Sequence, residues 1–299
     1  MPETKQPRDL LRAHLLRPRK SLGQNFLRHP HIAEEIVRRA NISAEDTIIE
    51  VGVGLGALTG PLAQTARRVI GLEVDRGLIA LHETERDLPK NVELRHQNIL
   101  QADLSALAAE VGKPLHVVSN LPYSISHPFL FLMLDNRRFI EKITVMVQEE
   151  VAARLTAAPP SKEYGVATAL FTLCATIASL VEVPPEMFYP QPTVRSRVIQ
   201  ITFTPTREPA AEEFALTRKI IKHSFGNRRK TLRNTLGATG FWRQFPELNA
   251  ADGKALVAEL LSGAAIADKA RPEELAPEAF CRLARVLTTM RRQAASRST

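Results

Sequence analysis

Thr47-Ile48-Ile49-Glu50-Val51-Gly52-Val53-Gly54-Leu55-Gly56 decides the fold. Its first five residues, rich in β-branched side chains, read as a short buried strand. Glycines at every second position then permit a tight turn and a close approach of backbone to a nucleotide. An Ala/Leu-rich helix start follows. The spacing is Gly-x-Gly-x-Gly, not the Gly-x-Gly-x-x-Gly of dinucleotide folds, and alone it says little. The next strand, Val69–Asp75, ends in acid. Glu73 stands 21 residues after Gly52, where a carboxylate can take both hydroxyls of a ribose. A third strand, Val92–Arg95, leads to Asn98, placed to touch an adenine edge. Each polar residue alone reads equally well as surface polarity. The ordered series predicts an α/β protein with a Rossmann-like sheet, helices on both faces and a nucleoside cofactor.

Asn120-Leu121-Pro122-Tyr123 says what the cofactor is for. It follows the apolar stretch His116–Ser119, which reads as a buried strand. The motif therefore sits at a strand's carboxyl end, where open α/β sheets bind ligands. An exocyclic amino group on a flat base is a poor nucleophile, because its lone pair is shared with the ring. Two acceptors gripping its N–H groups localise that pair and aim it at a methyl donor. The Asn120 side-chain oxygen and the Pro122 carbonyl are candidates for the pair, and Tyr123 offers a face for stacking. An ordinary proline turn after a strand is the competing reading of the tetrapeptide. With the nucleoside fold upstream, the combination predicts transfer of a methyl group to a base.

Net charge is +8, and its distribution matters more than its sum. Residues 1–28 carry seven Lys/Arg against two acids, residues 29–206 carry 16 against 20, and residues 207–299 carry 17 against ten. A slightly acidic body between basic ends suits a polyanion held from outside with one base fed inward; basic tails also serve solubility. Cys174 and Cys281 are far apart, as expected in a reducing cytosol without disulfides. The eight histidines show no metal-ligand spacing, and His29 and His31 read as surface residues. The N-terminus lacks a secretory apolar run. Val166–Val183 is the one long apolar stretch, but its threonines and its 18 residues argue against a membrane span. It parses better as a buried helix over Tyr164–Ala175 and a strand over 178–183.

Residues 1–20 are Arg/Pro-rich and expected to be mobile. A helix is expected over Pro30–Ala40, another over Glu149–Thr156, and strands over Ile143–Val147 and Val198–Phe203. The methyl-transferring domain is thus 21–203, with a helical, basic domain over 204–299. Arg218–Arg233 holds seven basic residues and no acid. Asn227 is expected to cap a helix that Gly237 ends, with Leu232 and Leu236 inward. Arg228, Arg229, Lys230 and Arg233 then face solvent or the phosphates of RNA.

These segments together resemble the small-subunit ribosomal RNA adenine N6,N6-dimethyltransferase family, a class I methyltransferase fold. The resemblance rests on Gly23–Leu27, Glu50–Gly56, Asn120–Tyr123, Phe188-Tyr189-Pro190-Gln191-Pro192 and Phe225–Asn234. It implies that Asn25, Leu27, Gly52, Glu73 and Asn120 contact S-adenosyl-L-methionine, with Gly54 in the same turn and Asn98 at the adenine. It also implies that Asn120, Pro122, Tyr123 and Phe188 hold the target adenine. The family dimethylates two adjacent adenosines near the 3′ end of small-subunit rRNA on an assembling subunit. A cytoplasmic monomer needing no metal is expected. Two residues depart from the family pattern: Asn98 and Arg195 stand where acids are usual. Two other readings are a large-subunit rRNA adenine methyltransferase of the erythromycin-resistance type and a mainly non-catalytic RNA-binding assembly factor.

Overall fold

The structure is a computed structural model of the 299-residue chain and describes residues 6–227, 230–248 and 253–297. Among the described residues the strands are β1 (Phe26–Leu27), β2 (Thr47–Val51), β3 (Arg68–Glu73), β4 (Val92–His96), β5 (Leu115–Asn120), β6 (Ile140–Gln148), β7 (Ala175–Val183), β8 (Phe188–Tyr189) and β9 (Ser196–Phe203). Seven of them form one sheet in the order β4-β3-β2-β5-β6-β9-β7. The pairs from β4 to β6 are parallel, and β9 runs antiparallel to β6. From β2 the chain moves outward through β3 to β4, then returns to place β5 on β2's other side. Crossover connections diverge at that point and leave a crevice at the carboxyl ends of β2 and β5.

The apolar runs read from sequence are the central strands. Ile48, Ile49, Val69, Ile70, Val117 and Val118 have no exposed surface, as parallel strands covered on both faces require. Helix Pro30–Arg39 begins at its proline and buries Ala33, Ile36 and Val37. Helix Arg76–Glu85 starts at Asp75, whose side chain accepts from Gly77 N–H. Helix Glu149–Thr156 has the bounds expected from sequence.

Three features differ from the sequence pattern. Within the segment 1–20, Pro7–Ala13 forms a helix. Its Leu11 is buried against Phe26 and Leu78, so an apolar contact anchors this helix. The two compact units are also not 21–203 and 204–299. One combines residues up to Ala152 with Ile177–Phe203; the other combines Ala153–Thr176 with residues from Thr204 onward. Helix Val166–Thr172 belongs to the second unit and packs on helices Ala211–Ser224 and Pro277–Arg297. Within that unit the Tyr164 ring meets Phe225 edge-on at 5.7 Å. Finally, Asn227 ends a 3-10 turn, Phe225–Asn227, and does not cap a helix; its carbonyl accepts from Lys230 N–H at 3.0 Å. Thr231 precedes the helix Leu232–Leu236, which Gly237 follows. Leu232 and Leu236 are fully buried, as their spacing required.

Candidate active site

A cavity of about 230 Å³ opens at the carboxyl ends of β2, β3 and β5. Its walls come from four stretches distant in sequence: Ser21–Phe26, the glycine turn, Gln97–Leu100 and Asn120–Ile125, with Glu73 between them. Gly52, Gly54 and Gly56 have φ of +75°, +61° and +78°. Side chains rarely adopt that region, so the turn needs glycine at each position. A Cβ on Gly54 would meet the Phe26 ring at 3.4 Å, an ordinary van der Waals contact, so the backbone angle is what demands glycine there.

Glu73 lies nearly buried at the end of β3. Its Oε1 accepts from the N–H groups of Val74 at 2.8 Å and Asp75 at 2.9 Å, and its Oε2 accepts from Gly54 N–H at 2.9 Å. These bonds tie the glycine turn to β3 and leave Oε2 with a free lone pair. Asn98 Oδ1 accepts from Leu100 N–H at 3.0 Å. An N–H needs an acceptor there, so the amide is fixed with its Nδ2 on the other side.

Asn120 is fixed by the same logic. Its Nδ2 donates to the Asn25 carbonyl at 3.1 Å, which leaves Oδ1 as the free acceptor. Asn25 in turn donates from Nδ2 to the Gly23 carbonyl at 3.1 Å. The Pro122 carbonyl spends one lone pair on Ile125 N–H at 3.1 Å. The Leu121 carbonyl, beside it in the cavity wall, accepts no hydrogen bond among the described residues. The Tyr123 hydroxyl is 2.6 Å from Ser196 Oγ, a fully buried group on β9. Burial pushes the Tyr123 phenol above its ordinary pKa, and the bond to Ser196 partly offsets this. The ring is therefore a neutral, pinned surface at the cavity wall. Asn120 thus offers one oriented acceptor, backbone carbonyls offer a second, and Tyr123 offers a flat face.

Asn25, Gly52, Gly54, Glu73, Asn98, Asn120, Pro122 and Tyr123, expected from sequence, all line this one cavity. Leu27 and Phe188 do not. Both lie in the hydrophobic core, 5% and 1% exposed. They face each other across the two-stranded ribbon of β1 and β8, in which Phe26 pairs with Tyr189 and Leu27 with Phe188. Side chains alternate across a ribbon, so Phe26 and Tyr189 share one face and Leu27 and Phe188 the other. Phe26, which the sequence reading passed over, is the residue of this pair that reaches the cavity.

Arg228 and Arg229 lie outside the described residues. Lys230 is exposed. Arg233, expected at solvent or phosphate, is exposed but ion-paired with Asp268. Among the described residues no group of three or more His, Cys, Asp or Glu is arranged to hold a metal, and no helix is long and apolar enough to cross a membrane.

The ribosomal RNA adenine dimethylase family model matches residues 16–267. The chain belongs to this family. Relatives agree over nearly the full length. Ribosomal RNA small subunit methyltransferase A of Desulfotalea psychrophila is 43% identical, covering 92% of this chain and 93% of its own. The protein of the same description from Shouchella clausii is 39% identical, covering 95% of each. Among solved structures, a dimethyladenosine transferase from Plasmodium falciparum has a TM-score of 0.76 at 20% identity, covering 89% of this chain and 98% of its own. The 23S rRNA methyltransferase ErmE has a TM-score of 0.62 at 23% identity, covering 88% of this chain and 99% of its own. These two likenesses show the fold. Members of the family use S-adenosyl-L-methionine, and this chain is an enzyme of that class. The cavity suits such a group: left-handed glycines make room at the turn, Glu73 keeps a free lone pair for a hydroxyl, and Asn120 presents its oxygen.

Proposed function

We propose that this chain methylates N6 of two adjacent adenosines near the 3′ end of small-subunit rRNA, giving N6,N6-dimethyladenosine on an assembling 30S subunit. The observation that carries the reading is the Asn120 amide, locked by Asn25 with its oxygen free beside Tyr123. That oxygen accepts from the adenine amino group, and a backbone carbonyl of Leu121 or Pro122 accepts from its other N–H. Tyr123, pinned by Ser196, stacks on the base once it leaves its own stack, at a cost that is lower in a loop of RNA. Bound S-adenosyl-L-methionine supplies an electrophilic methyl carbon. Positioning and fixed dipoles provide most of the rate. The amino nitrogen becomes strongly acidic on methylation and releases its proton without a strong base. The second transfer needs the same acceptors to tolerate a methyl in place of one N–H.

Asn25, Gly52, Gly54, Glu73 and Asn98 are assigned to cofactor contact; Leu27 and Phe188 support the wall through the ribbon. Lys230 and Arg233, with Arg228 and Arg229, are assigned to RNA, which requires Arg233 to exchange Asp268 for phosphate. The protein is taken to work as a cytoplasmic monomer without a metal. Relatives described as small-subunit enzymes favour that substrate over a large-subunit one, although the fold is shared with ErmE. Small subunits from a strain lacking the enzyme, given a tritiated methyl donor, test the proposal. Label in N6,N6-dimethyladenosine of small-subunit RNA is expected; label confined to large-subunit RNA refutes it.

A further inference from the structure

Helix Arg76–Glu85 buries Leu78, Leu81 and His82. The two leucines are ordinary core residues. The His82 side chain is 1% exposed, and both its nitrogens are engaged. Nε2 lies 3.0 Å from the Gly54 carbonyl oxygen, and Nδ1 lies 2.8 Å from Asp87 Oδ1. A carbonyl only accepts, so Nε2 carries a proton and donates. Nδ1 faces the Asp87 carboxyl group, which fixes the orientation of the ring. The ring is held between Asp87 and the glycine turn.

Gly54 lines the cavity, and its N–H is held by Glu73. Its preceding peptide is therefore fixed by Glu73 and its following peptide by His82. Three left-handed glycines occur within five residues of this turn, and glycine loses more conformational freedom on ordering than any other residue. A turn that is fixed beforehand leaves less to be ordered when a ligand binds.

We propose that His82, oriented by Asp87, is a positioning residue that holds the Gly54 carbonyl and thereby shapes the cofactor wall. His82 itself does not line the cavity. The inference rests on reading that cavity as the S-adenosyl-L-methionine site. It distinguishes His82 from His116, a buried histidine on β5, whose nitrogens hydrogen-bond to nothing among the described residues.

The test uses His82→Leu, His82→Gln and Asp87→Asn in the full chain, with Ile143→Val as a mild core lesion on β6. Cofactor Kd is read by calorimetry, KM and kcat on small subunits, and Tm by thermal melting. His82→Leu is expected to raise Kd and KM for the cofactor about ten-fold, the scale of one hydrogen bond, with kcat little changed. His82→Gln, which can donate to the Gly54 carbonyl, recovers most of the loss, and Asp87→Asn falls between. Ile143→Val lowers Tm and leaves Kd unchanged. Wild-type Kd in His82→Leu overturns the inference, as does a Kd rise in Ile143→Val that tracks its Tm. If His82→Leu does not fold, unchanged Kd in Asp87→Asn overturns it instead. A wild-type protein that binds no cofactor rejects the reading of the cavity and this inference with it.

Discussion

Glu50 is expected to make the protein less stable as pH rises through the neutral range. It sits in β2 two residues before Gly52, fully buried, and neither carboxyl oxygen reaches a hydrogen-bond partner of good geometry. Burial pushes its pKa from the ordinary 4.5 up to about 8; the Thr59 hydroxyl opposes the shift, and the negative charge of Glu73 adds to it. The folded protein thus keeps the Glu50 proton at pH values where the unfolded chain has released it. Below pH 4.5 both states hold the proton and Glu50 costs nothing. Between 4.5 and about 8 the unfolded state binds fewer protons, so stability falls as pH rises. The slope is about 1.4 kcal/mol per pH unit for one proton. Across the window this amounts to roughly 5 kcal/mol, a large part of the ~5–15 kcal/mol that holds a domain together. Glu50→Gln keeps the shape of the neutral acid and removes the titration. Urea unfolding of both proteins from pH 5 to pH 9 yields a difference curve in which shared titrations cancel. The variant is expected to match the wild type near pH 5 and to exceed it increasingly towards pH 8, then to level off. Parallel profiles, or a variant that loses most stability at high pH, would refute the reasoning.

Three further changes probe the site. Asn120→Ala removes the oriented acceptor and should abolish methyl transfer while leaving RNA affinity mostly intact; wild-type turnover would remove the assignment. Asn98→Asp keeps an oxygen for Leu100 N–H and offers the cofactor adenine a charged acceptor where the amide now presents Nδ2. Cofactor affinity should rise by about 1 kcal/mol, and unchanged or weaker binding by calorimetry rejects the idea. Tyr123→Phe breaks the 2.6 Å contact with Ser196 and strands a buried hydroxyl, at a cost of about 1–3 kcal/mol, while the stacking face persists. Thermal melting reads the loss, and a Tm equal to the wild type's counts against the pinning role.

Much of the site was legible in sequence because its chemistry is local. A turn that needs left-handed backbone at alternate positions must carry glycine there, so Gly52-Val53-Gly54-Leu55-Gly56 declares itself. Parallel strands buried on both faces must be continuously apolar, so β2, β3 and β5 do too, and the residues at their carboxyl ends converge by topology. Direction and partnership were not legible. Leu27 and Phe188 turned inward because the register of β1 on β8, two segments far apart in the chain, set which side chains share a face. Residues 153–176 joined the C-terminal helices because Tyr164 and its neighbours find their apolar partners there. Asp268 claimed Arg233, Asn25 oriented Asn120, and β2 buried Glu50 through contacts that no local pattern encodes. Backbone conformation and apolar periodicity are properties of neighbouring residues, and the sequence alone determined those. Burial, side-chain direction and pairing depend on which distant segments meet, and only the tertiary structure decided them.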